Sequence, residues 1–285
     1  MALFKLSKII PAIAVLALSA CGASSKGDTV SIAGSSTVLP IIANAAEAYQ
    51  SQMPEVQLVV NSGGSGVGIS QLGRGQIDIG MMSRDIRETE YAQYSDINFT
   101  VHKIGRDAVI PVISSEIYDA GITSLTRDDI AAIYRGEITN WSALGGPDRD
   151  ILVIDKEASR GTRQVFMNYI LGDKDEIAKG ADLILGSNNE EQTALTQSDS
   201  AIGMLSIAWL DEDVKGLGLV LENGKSIDPT LENVVNGSFP IIRDLIVVTR
   251  DGTAPAAAEF IKYLKTPAGQ KIVEDTGYIA LAGQI

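Results

Sequence analysis

The chain has 285 residues, enough for about two domains at roughly 150 residues each. Its 45% hydrophobic content can fill sizeable cores, and sparse aromatics with 28 glycines suit an α/β protein with many tight loops. A net charge of −13 argues against non-specific nucleic-acid binding and against a polybasic membrane-binding face.

Lys5 and Lys8 precede an apolar stretch, Ile9 to Leu18, that is too short to span a bilayer comfortably. It ends in Leu18-Ser19-Ala20-Cys21, followed by Gly22. This resembles a bacterial lipoprotein signal. The resemblance implies that residues 1–20 are removed, that Cys21 is lipidated, and that residues 21–28 tether the protein to a membrane. It further implies an extracytoplasmic location, in a periplasm or on the outer face of a cell membrane. Cys21 is the only cysteine, so no intrachain disulfide can form. Loss of Lys5 and Lys8 takes the charge to −15.

Beyond the tether, strand, loop and helix recur. Val30–Ala33 reads as a strand, and Pro40–Met53 as a helix with Pro40 in its first turn. Val56–Val60 is a continuous apolar run, as expected of a strand buried on both faces. Val67–Leu72 reads as a short helix, Ile77–Met81 as a strand and Arg87–Tyr94 as a helix. Phe99–Ile113 is a longer β-rich stretch suited to crossing between domains. Thr126–Tyr134 is a helix with Thr126 as its N-cap. Then come strand Ile151–Ile154, helix Arg163–Leu171, helix Asn188–Thr196 and strand Ala201–Leu205. A return crossing is expected near residues 203–218. Strand Arg243–Thr249 and helices Ala254–Lys265 and Gly269–Thr276 close the chain. The alternation predicts two α/β lobes, each a mixed sheet flanked by helices. The first is assigned residues 28–108 and 218–285, and the second residues 109–217.

Four loops between a strand and a helix are rich in Ser, Thr and Gly. They are Gly34–Thr37, Ser62–Gly66, Met82–Asp85 and Ala158–Thr162. Each offers backbone N–H groups and hydroxyls at the positive end of a helix dipole, which is how a protein holds an oxyanion. One such loop is common; four point to an anion receptor. An acidic chain must then attract its anion through local dipoles. No Gly-Lys-Ser/Thr follows the Gly-rich loop, so it is not a nucleotide P-loop. Lys156 and Arg160 lie at the fourth loop, where Arg offers planar bidentate contacts and Lys a point charge. Arg163 fits a surface ion pair better.

An enzyme is the weaker reading. His102 is the only histidine, there is no Gly-x-Ser-x-Gly elbow, and the acids lack metal-ligand spacing.

The loop at Ser35–Thr37 with Pro40, then Asn61–Gly66, Gln71, Asp78–Gly80, Lys156–Thr162, Tyr134–Trp141 and Ala201–Met204 together resemble the phosphate-binding proteins of bacterial ABC transporters, the PstS family. The resemblance implies a two-lobed periplasmic-binding-protein-like fold of type II, with inorganic phosphate held in the interlobe cleft by closing lobes. It implies delivery to an ABC permease, a monomer, and no cofactor. Carried over by position, Ser36, Thr37, Ser65, Ser83, Arg84, Lys156, Arg160, Gly161 and Thr162 would bind the anion, and loss of Arg160 would cost on the order of 3–5 kcal/mol. Lys156 stands where enteric-type members carry Arg, and Arg160 where they carry Ser. Where those members place a buried Asp to accept the phosphate proton, this chain reads Ser83-Arg84-Asp85. Asp85, Glu157 or a serine hydroxyl could serve instead. Another oxyanion, such as sulfate, molybdate or an organic phosphate, is the alternative ligand.

Overall fold

Alternation of strand and helix is seen throughout the computed structural model, which describes residues 28–281. The signal segment and Cys21 lie outside the described residues. The first elements are β1 (Asp28–Gly34), α1 (Leu39–Gln52), β2 (Val56–Ser62), α2 (Ser65–Gly73), β3 (Ile79–Met82) and α3 (Glu88–Gln93). β1 pairs in parallel with β2 on one side and β3 on the other. α1 buries Ile41, Ile42, Ala45, Ala46 and Tyr49 at helical spacing against that sheet. β2 departs from expectation. It ends the sheet, so Gln57 and Val59 face outward and only Val56 and Leu58 are buried.

β4 (Phe99–Ser114) then runs through the molecule. Its first part pairs antiparallel with a later strand, and Val109–Ile113 pair with another. After it come α4 (Ser115–Asp119), β5 (Ser124–Thr126), α5 (Arg127–Arg135), β6 (Leu152–Lys156), α6 (Gly161–Ile170), β7 (Leu183–Leu185), α7 (Asn188–Thr196) and β8 (Ala201–Ser206). Local chemistry sets α5. Thr126 Oγ1 accepts from Asp129 N at 3.0 Å, and Gly136 ends the helix at φ 76°. Trp141 is fully buried and donates to Ser200 O at 2.9 Å, a packing role.

β9 (Val214–Gly216), β10 (Gly218–Val220), β11 (Ser226–Ile227) and α8 (Leu231–Val235) follow, before β12 (Ile242–Arg250), α9 (Pro255–Leu264) and α10 (Pro267–Asp275). The main sheet runs β2-β1-β3-β12-β4-β8-β6-β7, with β9 also on β4. Two large cores lie along it. One gathers Val30, Ile41, Ile79, Ile104, Val247 and Phe260; the other gathers Val109, Ile133, Trp141, Phe166, Ile202 and Phe239. They define a first and a second lobe, and β4 belongs to both.

The chain returns later than the 203–218 crossing expected from sequence. β10 pairs with β5, and Leu219, Ile227, Val234, Phe239 and Ile241 pack in the second core. The return is β12, antiparallel to β4 from Ile242↔Ala108 to Arg250↔Phe99. The two- to five-residue elements between 207 and 241 are held by their partners rather than by local pattern, and are too short to show a period. No described helix is long and apolar enough to cross a membrane.

Candidate functional site

Three of the four loops meet at one point through their hydroxyls. Ser35 and Thr37 follow β1, Ser65 opens α2 and Ser83 follows β3. Gly34 permits this approach. Its φ is 140°, its carbonyl accepts from both Gly63 N and Gly64 N at 2.8 Å, and a side chain there would strike the Met81 carbonyl. Ser35 Oγ donates to Ser83 Oγ at 2.9 Å, and Ser83 N donates to Ser65 Oγ at 3.1 Å. All four residues are buried.

The fourth loop arrives from the second lobe. Thr162 Oγ1 is 3.3 Å from Thr37 Oγ1, and Gly66 N donates to Ser159 O at 3.1 Å. α2 and α6 both begin beside the cluster without a side-chain cap, and the Gly66 N–H in the first turn of α2 is the one taken by Ser159 O. Gly161 opens α6 where a Cβ would lie 2.5 Å from Ser65 Oγ and 2.6 Å from Ser83 Oγ. Gly161→Ala is therefore expected to wedge the lobes apart and weaken anion binding about 5- to 150-fold, the equivalent of about 1–3 kcal/mol of overpacking. Wild-type affinity by calorimetry in a folded variant would remove Gly161 from the site.

Sequence reasoning missed three residues. Arg243, at the start of β12, is 5% exposed and lies opposite Asp107 of β4 in the strand register. Its Nε and Nη2 donate to Asp107 Oδ2 at 2.8 and 2.6 Å. Nη1 donates to Thr162 Oγ1 at 3.0 Å and to Ser83 O at 3.3 Å, and Nη2 reaches Thr37 Oγ1 at 3.3 Å. One guanidinium thus touches hydroxyls of both lobes. Ser206 Oγ donates to the other Asp107 oxygen at 2.7 Å. Burial raises Asp107 above the usual carboxylate range, and Arg243 partly offsets this. The third missed residue is Asn188, at the start of α7, whose Nδ2 donates to Thr37 Oγ1 at 3.2 Å. The signal was present in part: Asp107 immediately precedes the buried run Ala108–Ile113, and Arg243 stands two residues before the buried run Leu245–Val248.

The expected cations lie elsewhere. Arg84 is buried and passes beside Gly161; both Nη atoms donate to Glu90 at 2.7 and 2.8 Å, while Nε is buried without a hydrogen-bond partner among the described residues. Lys156 pairs with Glu191, both fully buried, and its Nζ lies 3.4 Å from Ser187 O. Arg160 sits over Gly64 at the rim and donates through Nε to Glu157 at 2.8 Å, where Glu157 is half exposed. Such a part-exposed pair contributes about 0.2–1 kcal/mol to stability. Ser36 is half-buried and makes no side-chain hydrogen bond among the described residues. Arg163, assigned a surface pair, is instead buried on Asp155 at 3.0 Å. Asp85 is exposed. His102 lies on β4 with Nε2 3.0 Å from Thr249 Oγ1, and neither group belongs to the hydroxyl cluster. Among the described residues no group of His, Cys, Asp or Glu could hold a metal ion.

Comparison with known proteins agrees with this architecture. The PBP superfamily domain matches residues 20–267. The phosphate-binding protein PstS of Bacillus subtilis is 32% identical over 262 residues, covering 92% of this chain and 83% of that protein. PstS of Borreliella burgdorferi is 31% identical, covering 88% of this chain and 90% of its own. A putative phosphate ABC transporter substrate-binding protein from Clostridium perfringens, solved with bound phosphate, superposes with a TM-score of 0.80 at 29% identity, over 89% of this chain and all of its own. An ABC-type phosphate transport receptor from Vibrio cholerae gives 0.71 at 31% identity, over 88% of this chain and all of its own. Two lobes joined by long strands, a buried hydroxyl cluster between them and relatives matched over nearly their whole length place this chain in the PBP superfamily, as a member of the PstS family of phosphate-binding proteins.

Proposed function

We propose that this protein captures inorganic phosphate between its two lobes and delivers it to an ABC permease, acting as a monomer anchored outside the cytoplasm through Cys21. One observation carries the reading. The Arg243 guanidinium donates to Thr37 of one lobe and Thr162 of the other, where the N-termini of α2 and α6 open. A tetrahedral anion at this point would meet Thr37, Ser65, Ser83, the backbone of Gly161, Thr162, Asn188 and Arg243. These donors would replace its water shell, and the guanidinium with two helix dipoles would offset its charge. Attraction then arises locally, in a chain of net charge −13. Lys156 and Arg160 would support the site from outside it, since each is committed to an acid, and Arg84 would border it, with its Nη atoms on Glu90 and its Nε unpaired.

The test is calorimetric titration of anion-stripped protein with phosphate, then with sulfate. Saturable phosphate binding with one site per chain is the expected result. Preference for sulfate would favour the other-oxyanion reading, and no response to either would end the transport reading.

A further inference from the structure

The two lobes also meet at a point away from the hydroxyl cluster. Arg87, at the start of α3, belongs to the first lobe, where the neighbouring Ile86 packs with Ile69, Leu72 and Met82. Asp175 follows α6 in the second lobe, between Ile170 and Ala178 of that lobe's core. Arg87 Nη2 donates to Asp175 Oδ2. Among the described residues this is the one ion pair that runs directly from lobe to lobe; the others lie within a lobe or along the β4–β12 ribbon. The pair lines a cavity of about 620 Å³ that both lobes border. Asp85, Glu88 and Lys174 line it too, and none of them is in an ion pair among the described residues.

Each end of the pair is tied back to an anion-loop residue. In the first lobe, Glu90 accepts from both Nη atoms of Arg84 at 2.7 and 2.8 Å and from Arg87 N at 2.9 Å. Arg84 directly follows Ser83 of the cluster. In the second lobe, Arg163 directly follows Thr162. Its Nε donates to Asp155 at 3.0 Å, its Nη2 to Glu176 O at 2.8 Å and its Nη1 to Lys174 O at 3.4 Å. Those two carbonyls flank Asp175, whose own N–H donates to Asp173 Oδ1 at 2.9 Å. The backbone on both sides of the pair is thus fixed relative to the cluster. Parting the lobes at Thr37 and Thr162 must part Arg87 from Asp175 as well.

We infer that Arg87 and Asp175 are positioning residues for anion capture, and that their ion pair holds the closed lobes on the anion without touching it. The inference rests on the phosphate reading above. A contact made in the closed protein and broken in the open one shifts the equilibrium toward closure, and so raises affinity for whatever the closed cleft holds. Asp175 is half exposed, so dissolved salt screens this pair, unlike the buried Arg243–Asp107 pair.

The test is a double-mutant cycle on affinity for inorganic phosphate. Wild type, Arg87→Gln, Asp175→Asn and the double variant are titrated by calorimetry at about 0.02 and about 0.5 M salt. At low salt each single change is expected to weaken binding about 1.5- to fivefold, the size of a partly exposed ion pair, and the double variant no further. At high salt the coupling between the two positions should vanish. Salt also screens phosphate itself, but that effect is common to all four proteins and cancels in the cycle. Without phosphate, their unfolding midpoints are expected to agree. Unchanged affinity in both single variants, losses that multiply in the double variant, or coupling unmoved by salt would overturn the inference and leave the phosphate reading standing. A matching loss of stability without phosphate would also overturn it, because the pair would then belong to the resting fold. Failure of the wild type to bind phosphate would overturn the reading and the inference together.

Discussion

Arg243→Met is expected to abolish useful phosphate binding. Truncating one partner of a buried, hydrogen-bonded charge pair costs about 2–5 kcal/mol, or roughly 30-fold to several thousand-fold in affinity. The variant should also lose stability, about 3–5 kcal/mol, because Asp107 would stay fully buried with only Ser206 and the Ala108 amide beside it and no counter-charge. The two losses can be separated. Replacing both partners by apolar residues of similar size removes the stranded charge, so Arg243→Met with Asp107→Leu is expected to regain most of the stability. It should regain none of the binding. Denaturant unfolding and calorimetry on both variants decide the matter. Phosphate affinity within a few-fold of wild type in a folded Arg243→Met protein would remove Arg243 from the site.

Lys156→Met should show the opposite pattern. Lys156 and Glu191 are buried in the second lobe, and the amide of Met204 donates to Glu191 at 2.6 Å. Breaking the pair leaves a carboxylate with no counter-charge, at a cost of about 3–5 kcal/mol. The fold should bear this loss, and anion affinity should stay within about fivefold, because the ammonium is committed to Glu191 and Ser187 O. The deficit should depend on pH. Burial already raises Glu191 above its reference value of 4.5, and Lys156 opposes the shift. Without Lys156 the folded-state value rises further. A raised carboxylate favours the folded state below its unfolded pKa, and that contribution is lost as pH rises through the folded value. The variant should therefore be more stable near pH 5 than near pH 8. A loss of affinity far exceeding the loss of stability would return Lys156 to the binding set.

The strands and helices of the first lobe were legible because each is long enough to show its period and is bounded by turn residues. Pro40 marks the start of α1, and Thr126 and Gly136 bracket α5 in the second lobe by chemistry that needs no tertiary partner. The hydroxyl loops were legible for the same reason: Ser35–Thr37, Ser65 and Gly161–Thr162 each sit at a strand-to-helix junction. The charges were not. Whether Lys156 faces an anion or Glu191 depends on α7, which lies more than thirty residues later in the chain. Arg243 and Asp107 are separated by 136 residues and become neighbours only through the register of β12 on β4. Sequence spacing reports what a residue can do; the strand register decides which partner it meets.

That register also has a mechanical meaning. The lobes are joined by the antiparallel ribbon of β4 and β12, and the Arg243–Asp107 pair lies where that ribbon passes from one core to the other. When two rigid arms swing about a flexing ribbon, points near the axis move least and points at the tips move most. The guanidinium is thus close to the fulcrum, whereas the Gly66–Ser159 hydrogen bond and the Arg87–Asp175 ion pair join one arm directly to the other. In the proposed phosphate reading the guanidinium would keep its place on Asp107 as the lobes part, while its bonds to Thr37 and Thr162 could not both persist. The arm-to-arm contacts must break before the lobes can part, so they would set part of the cost of letting the anion go.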